Sequence, residues 1–222
     1  ALITRMQSEG QFSPADVLLT TDAGRLVRAK SAGLTQAATA PGINDLVPAF
    51  QRDSEGHWYA LTMRARPIMY APGKVDVSKI ISILDLAKPE WKGQICIRSS
   101  SNIYNQSMVA ALTLSIGEEA TEAWAEGIVS NMARAPKGGD RDQIKAVAAG
   151  QCTIAVANTY YLAGMLDSDN ATEREQAGAV KVHWTDQQGI GAHVNISGAA
   201  IAKHAPNVEQ ANQLLAFMLT KE

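Results

Sequence analysis

QCTIAVANTYYLAGM, residues 151–165, contains an apolar run, Ile154-Ala155-Val156-Ala157, that reads as a buried strand. The run ends in Asn158-Thr159 and is followed by two adjacent tyrosines, Tyr160 and Tyr161. In open α/β proteins ligands sit just past the carboxyl ends of strands, which is where this pair falls. A second stretch has the same layout, with QICIR at 94–98 followed by SSSNIY at 99–104. Each stretch carries one cysteine, and each cysteine precedes a tyrosine by eight residues, Cys96 before Tyr104 and Cys152 before Tyr160. Two neighbouring strands in register are expected to set Cys96 beside Cys152 and to gather Tyr104, Tyr160 and Tyr161 above them.

The totals leave room for this arrangement. The chain has 222 residues, 46% hydrophobic and 19% charged, enough for a sizeable core in one or two domains. A net charge of −2 gives nucleic acid or an anionic membrane surface no reason to be a partner. No apolar run approaches the length of a membrane span, and no stretch reads as a signal peptide. Ala1–Gln7 and Ala211–Glu222 read as helix without a starting or closing signal, so the chain is expected to be a fragment. The two cysteines admit either one disulfide or two buried thiols. The matched offsets favour the disulfide, which implies an oxidising compartment.

Strands and helices alternate along the rest of the chain, the pattern of an α/β protein. Strands are expected at 15–20, 58–63, 94–98, 154–157, 180–184 and 193–197. Helices are expected at 1–10, 25–32, 80–86 (capped by Ser78), 106–117, 118–131, 140–149, 162–166 and 208–219. Residues 167–178 read as a polar loop. The extended stretch 58–70 contains Pro67, which suits an edge or crossover strand more than a central one.

Six phrases together resemble the periplasmic ferric-ion-binding proteins of bacterial ABC importers, the ferric-binding and FutA-like group. They are PADVLLTTDAGRL (14–26), LTMRAR (61–66), LAKPEWKG (86–93), RSSSNIYNQSMVAAL (98–112), GQCTIAVANTYYLAGM (150–165) and GAHVNISGAAIAKHAPN (191–207). The resemblance implies a two-lobe α/β fold with crossing strands between the lobes. Lobe 1 is expected to comprise residues 1–66 and 192–222, and lobe 2 residues 67–191. It implies ferric iron in the cleft, with Tyr104, Tyr160 and Tyr161 as ligands. An arginine on the first crossing strand, Arg64 or secondarily Arg66, would hold a carbonate or similar synergistic anion. The implied setting is the periplasm and the implied partner an ABC permease, with the binding protein a monomer. Family members begin with a strand and a short segment bearing a further His or Tyr ligand, and this chain starts after that point. Either that ligand is missing here, or the three tyrosines act with exogenous oxygen donors.

The chemistry suits those residue types. Ferric iron is a hard cation that favours anionic oxygen, and phenolate supplies it. A free tyrosine has a pKa of about 10, so binding must release protons. An arginine fork matches a carbonate bidentately. Taken singly, each tyrosine reads as amphipathic packing. The Ser99–Ser101 run is either an anion nest presenting Ser101 or a helix cap, and Asp22 either orients a ligand group or caps a helix. His57, His183, His193 and His204 are scattered without metal spacing, and no nucleophile elbow, zinc-protease or dinucleotide motif supports an enzyme. The competing reading is a two-lobe receptor for an oxyanion or other small solute. A polyamine receptor would need more carboxylates and more aromatic faces than a chain that is 5% aromatic carries.

Overall fold

The computed structural model describes residues 2–220. The helical readings of Ala1 and of the last two residues lie outside them. The chain divides into two compact units, the first running to Met63 and resuming at Asn195, the second spanning Arg64–Val194. Both seams fall three residues from the expected boundaries, and both arginines of the LTMRAR phrase therefore belong to the unit that carries the tyrosines.

The first unit holds α1 (Leu2–Glu9), β1 (Val17–Thr21), α2 (Ala23–Ser31), β2 (Thr35–Gln36) and most of β3 (Tyr59–Ala65). The second holds β4 (Ile68–Tyr70), β5 (Ile95–Cys96), α3 (Ile103–Ile116), α4 (Glu118–Asn131) and α5 (Asp140–Ala148). It continues with β6 (Ile154–Val156), α6 (Thr159–Leu166), α7 (Ala171–Gly178) and β7 (Lys181–His183). The chain closes with β8 (Val194–Ala202) and α8 (Val208–Leu219), which complete the first unit.

β8 is the spine of the first sheet. It pairs antiparallel with β1 and β2 and also bonds β3. Its run of small residues lets neighbours come close: a Cβ on Gly198 would sit 2.5 Å from the Tyr59 carbonyl oxygen and 2.7 Å from Leu26 Cδ1. Leu18, Leu26, Tyr59, Ile201 and Leu215 fill this core.

The second sheet runs β5-β6-β4-β7, with β5 parallel to β6 and β4 antiparallel to both its neighbours. Alternate residues of β6 face opposite layers. Ile154 and Val156 join Met108, Leu112, Trp124 and Ile128 of α3 and α4. Ala155 joins Ile144, Val147, Leu162 and Met165 of α5 and α6. Helices thus cover both faces of a short mixed sheet.

Several expectations need correction. β4 is an interior strand, because Pro67 lies just outside the ladder and only its carbonyl takes part, accepting from Ala157 N at 3.4 Å. Residues 80–86 form no single helix. Short 3₁₀ turns occupy Val77–Lys79 and Ile83–Ala87, the second capped by Ser82 and not by Ser78. Residues 171–178 form α7 where a loop was expected. Asn170 caps that helix and only Ala177 is buried in it, so no apolar periodicity marks it in the sequence.

The register of the cysteine strands also differs. Ile95 pairs with Ile154 and Cys96 with Ala155, so Cys96 is not opposite Cys152. The disulfide forms nonetheless, from Cys96 in β5 to Cys152 just before β6, with Cα atoms 5.9 Å apart. It closes a loop across 56 positions within a sheet whose strands are two or three residues long. Cross-linking removes entropy from the unfolded chain, so the Cys96→Ala/Cys152→Ala variant is expected to lose about 2–4 kcal/mol. Urea unfolding of variant and parent measures it, and equal midpoints would refute a stabilising role.

Candidate functional site

Tyr104 and Tyr160 occupy equivalent places, each the second residue of a helix preceded by asparagine, in Asn102-Ile103-Tyr104 and Asn158-Thr159-Tyr160. This shared Asn-x-Tyr entry into α3 and α6 brings the phenols together, whereas strand register was expected to do so. Tyr161 is the next residue of α6 and lies in its first turn. The Tyr160 hydroxyl is 3.3 Å from that of Tyr104. The rings of Tyr160 and Tyr161 have centroids 4.3 Å apart. All three phenols therefore meet in one patch of the second unit. Tyr160 is 41% exposed, and Tyr104 and Tyr161 are half-buried.

The two asparagines diverge in use. Asn102 caps α3 through its side chain, which accepts from Tyr104 N at 2.9 Å. Asn158 makes no such cap. Its Oδ1 accepts from Arg66 Nη1 at 3.2 Å, and its Nδ2 lies 3.4 Å from the Tyr160 hydroxyl.

Beneath the phenols lies a closed polar network. Arg66 Nη1 donates to Asp140 Oδ2 at 2.7 Å, with side-chain exposures of 1% and 0%. Arg66 Nη2 donates to Asn105 Oδ1 at 2.7 Å. Arg98 Nη1 reaches Asp140 Oδ1 at 3.2 Å, and the Asn158 amide donates to Asp140 Oδ2 at 2.8 Å. The Arg64 and Arg98 guanidinium carbons each stand 5.2 Å from the Tyr104 ring centroid, cation–π geometry.

The expected anion residues fare differently. Arg64 lies at the tyrosines, against Tyr104. Arg66, the second choice, is almost fully buried, with both its terminal nitrogens on internal acceptors. Asp22 belongs to the first unit and caps α2, accepting from Gly24 N at 3.0 Å and from Asn195 Nδ2 at 2.9 Å. It is fully buried there with φ +86° and ψ +123°, outside the left-handed helical region that Asp tolerates. Ser101 is exposed, and its hydroxyl sits 2.9 Å from that of Ser99, while the cap of α3 is Asn102. Among the described residues no group of three His, Cys, Asp or Glu converges on a metal position. His57 bonds Thr35, and His183 bonds the Ile80 carbonyl.

Sequence reading missed Asp140, Asn105, Asn158 and Arg98. Their only signal was position, Asp140 opening a helix and the two asparagines flanking tyrosines.

Comparison places the chain among known proteins. Residues 12–222 match the bacterial extracellular solute-binding protein family. The chain is 46% identical over 220 residues to "Iron uptake protein A1" of Synechocystis sp., covering 99% of this chain and 61% of that protein. It is 32% identical to the "Fe(3+)-binding periplasmic protein" of Serratia marcescens, covering 98% and 62%. A Trichodesmium protein (IdiA, FutA), solved in complex with iron and citrate ligands, superposes with a TM-score of 0.94 at 47% identity, covering 99% of this chain and 69% of that one. The chain therefore spans about three fifths of the length of the curated relatives it matches. The two-lobe α/β fold expected from the sequence is the fold of these structures.

Burial of its hydroxyl, and then hydrogen bonds with Tyr104 and Tyr161, push the Tyr160 phenol well above its ordinary value. The unfolded chain releases this proton first, near pH 10, so the stabilisation is intact below about pH 10 and is lost as pH rises further. Urea midpoints at pH 9 and pH 11 are expected to fall more for the parent than for Tyr160→Phe. An equal fall would place the phenol in ordinary solvent.

Proposed function

The chain belongs to the bacterial extracellular solute-binding protein family, and on that premise we propose that it captures ferric iron through Tyr104, Tyr160 and Tyr161. Membership of a solute-binding family makes binding, and not turnover, the function. The observation that carries the metal reading is the convergence of three phenols on one patch, with two hydroxyls 3.3 Å apart. Such oxygen donors suit a hard trivalent cation, and relatives named for iron uptake and Fe(3+) binding agree with the choice.

Charge balance supports a synergistic anion. Three phenolates offset the charge of Fe³⁺. Around them stand three guanidiniums, Arg64, Arg66 and Arg98, against the single carboxylate of Asp140. The surplus is positive, and a carbonate or another small carboxylate beside Arg64 would neutralise it. A relative solved with iron and citrate is consistent with a carboxylate in that role. The proposed setting is the periplasm, where the ion is handed to an ABC permease in the cytoplasmic membrane, the carrier acting as a monomer.

Each phenol must shed a proton, and Tyr160 holds its proton tightly in the metal-free chain, so ferric affinity falls as pH falls. A phenolate-to-iron charge-transfer band should appear on titration with chelated ferric iron and saturate at one ion per chain. Bicarbonate should strengthen binding, and Arg64→Gln should abolish that dependence. The Tyr160→Phe/Tyr161→Phe variant is expected to lose the band and more than about 100-fold in affinity, beyond the loss usual for an outer-shell change. An unaltered affinity in that variant would overturn the tyrosine reading. If the parent gives no band but binds an oxyanion, the oxyanion-receptor reading takes its place.

A further inference from the structure

We propose that Asp140 is a positioning residue for the tyrosine site, its buried carboxylate setting the separation between the turns that carry Tyr104 and Tyr160. The inference rests on the ferric reading above. It concerns a residue that touches no phenol and acts only through others.

Asp140 opens α5, and its carboxylate is closed to solvent. At the first turn of a helix the unpaired amides favour an anion. Two connections run from this one group toward each tyrosine. Toward Tyr160, Oδ2 accepts directly from the Asn158 amide at 2.8 Å, two residues before the phenol. Oδ2 also holds Arg66 Nη1 at 2.7 Å, and that nitrogen donates at 3.2 Å to the Asn158 side chain beside the Tyr160 hydroxyl. Toward Tyr104, the same Arg66 reaches Asn105, the next residue in α3, at 2.7 Å. Oδ1 holds Arg98, whose guanidinium stands over the Tyr104 ring. Asn105 in turn donates to the Arg98 carbonyl at 2.7 Å, closing the circuit.

This circuit ties α3, α5 and α6 to the segment between β3 and β4. A chelating site needs its donors held at a fixed spacing before the ion arrives, and groups beyond the ligands supply that constraint. The α3 and α6 turns lie on opposite faces of the sheet through most of their length, with Met108 in one layer and Leu162 in the other. Hydrophobic packing alone therefore does not fix one turn against the other, and the Asp140 network does.

The test is Asp140→Asn, which keeps size but removes the charge and one acceptor oxygen. The ferric titration is read on the purified chain beside its parent, with thermal midpoints measured on both. Positioning predicts that the iron-saturated variant has a charge-transfer band altered in energy or in absorbance per bound ion. It also predicts that ferric affinity falls by about 10–100-fold, the range for residues that orient metal ligands. A merely structural role predicts a lower thermal midpoint with the saturated spectrum and the affinity of the parent, and that result overturns the inference. Should Asp140→Asn fail to fold, Arg66→Lys decides. Its single ammonium cannot serve Asp140, Asn158 and Asn105 together, so the same spectral change is expected, and an unchanged spectrum overturns the inference. A parent chain that gives no ferric band removes the ferric reading itself, and this inference with it.

Discussion

The second unit depends on one buried ion pair, Arg66 with Asp140. Removing two charges from water is costly, and the pair persists only where hydrogen bonds satisfy what remains. Here most positions are filled, the Nε atoms of Arg66 and Arg98 excepted. The carboxylate has two guanidiniums and a backbone amide, and the two Nη groups of Arg66 serve Asp140, Asn158 and Asn105. Burial pushes the Arg66 guanidinium down from its ordinary value, against the opposing pull of Asp140. Because the partners come from four separate segments, satisfying the pair fixes where those segments meet.

That constraint matters because the sheet offers little of its own. β5 has two residues, and β4, β6 and β7 have three each. Ladders this short carry few hydrogen bonds to hold a register, and in flat or weakly patterned strands register is weakly specified. Side-chain ties make up the difference. The Cys96–Cys152 disulfide joins β5 to the entry of β6 within the layer containing α5 and α6. The Arg66 network joins the segments that follow those strands to the helices beyond them. Both kinds of tie are non-local, and both bear on the two turns that carry phenols.

Much of this was legible before the structure, and the remainder was hidden for identifiable reasons. The three tyrosines and the cysteine pair could be found because a layout recurs, a strand with a cysteine eight residues before a tyrosine. The inferred cause was nonetheless wrong, since the pairing Ile95 with Ile154 does not set Cys96 opposite Cys152. Helix entry, not register, aligns the phenols. The ranking of Arg64 over Arg66 rests on the resemblance and not on strand periodicity, because two residues apart in a strand they share a face. β3 ends at Ala65 and Pro67 follows, so the chain breaks that shared direction and one arginine turns inward. Asp140 reads only as a helix start, its charged partners lying 42 and 74 positions away. Asp22 was legible as a cap by residue type, but its partner Asn195 is 173 positions distant.

If the phenols ligate ferric iron as proposed, proton, anion and metal are thermodynamically linked at this site. In the metal-free chain Tyr160 holds its proton firmly, and the surrounding guanidiniums keep a positive surplus. A divalent cation would add to that surplus while gaining less from each phenolate it must create. A trivalent ion would gain more per phenolate, offsetting the cost of expelling protons, and the remaining positive charge would then draw in an anion. Neither step would be favoured alone: without the ion Tyr160 keeps its proton, and without the anion the guanidiniums would oppose the ion. On the proposed reading, the side chains that make the patch hostile to a lone cation are thus the ones that would make it selective for a ferric ion arriving with its anion.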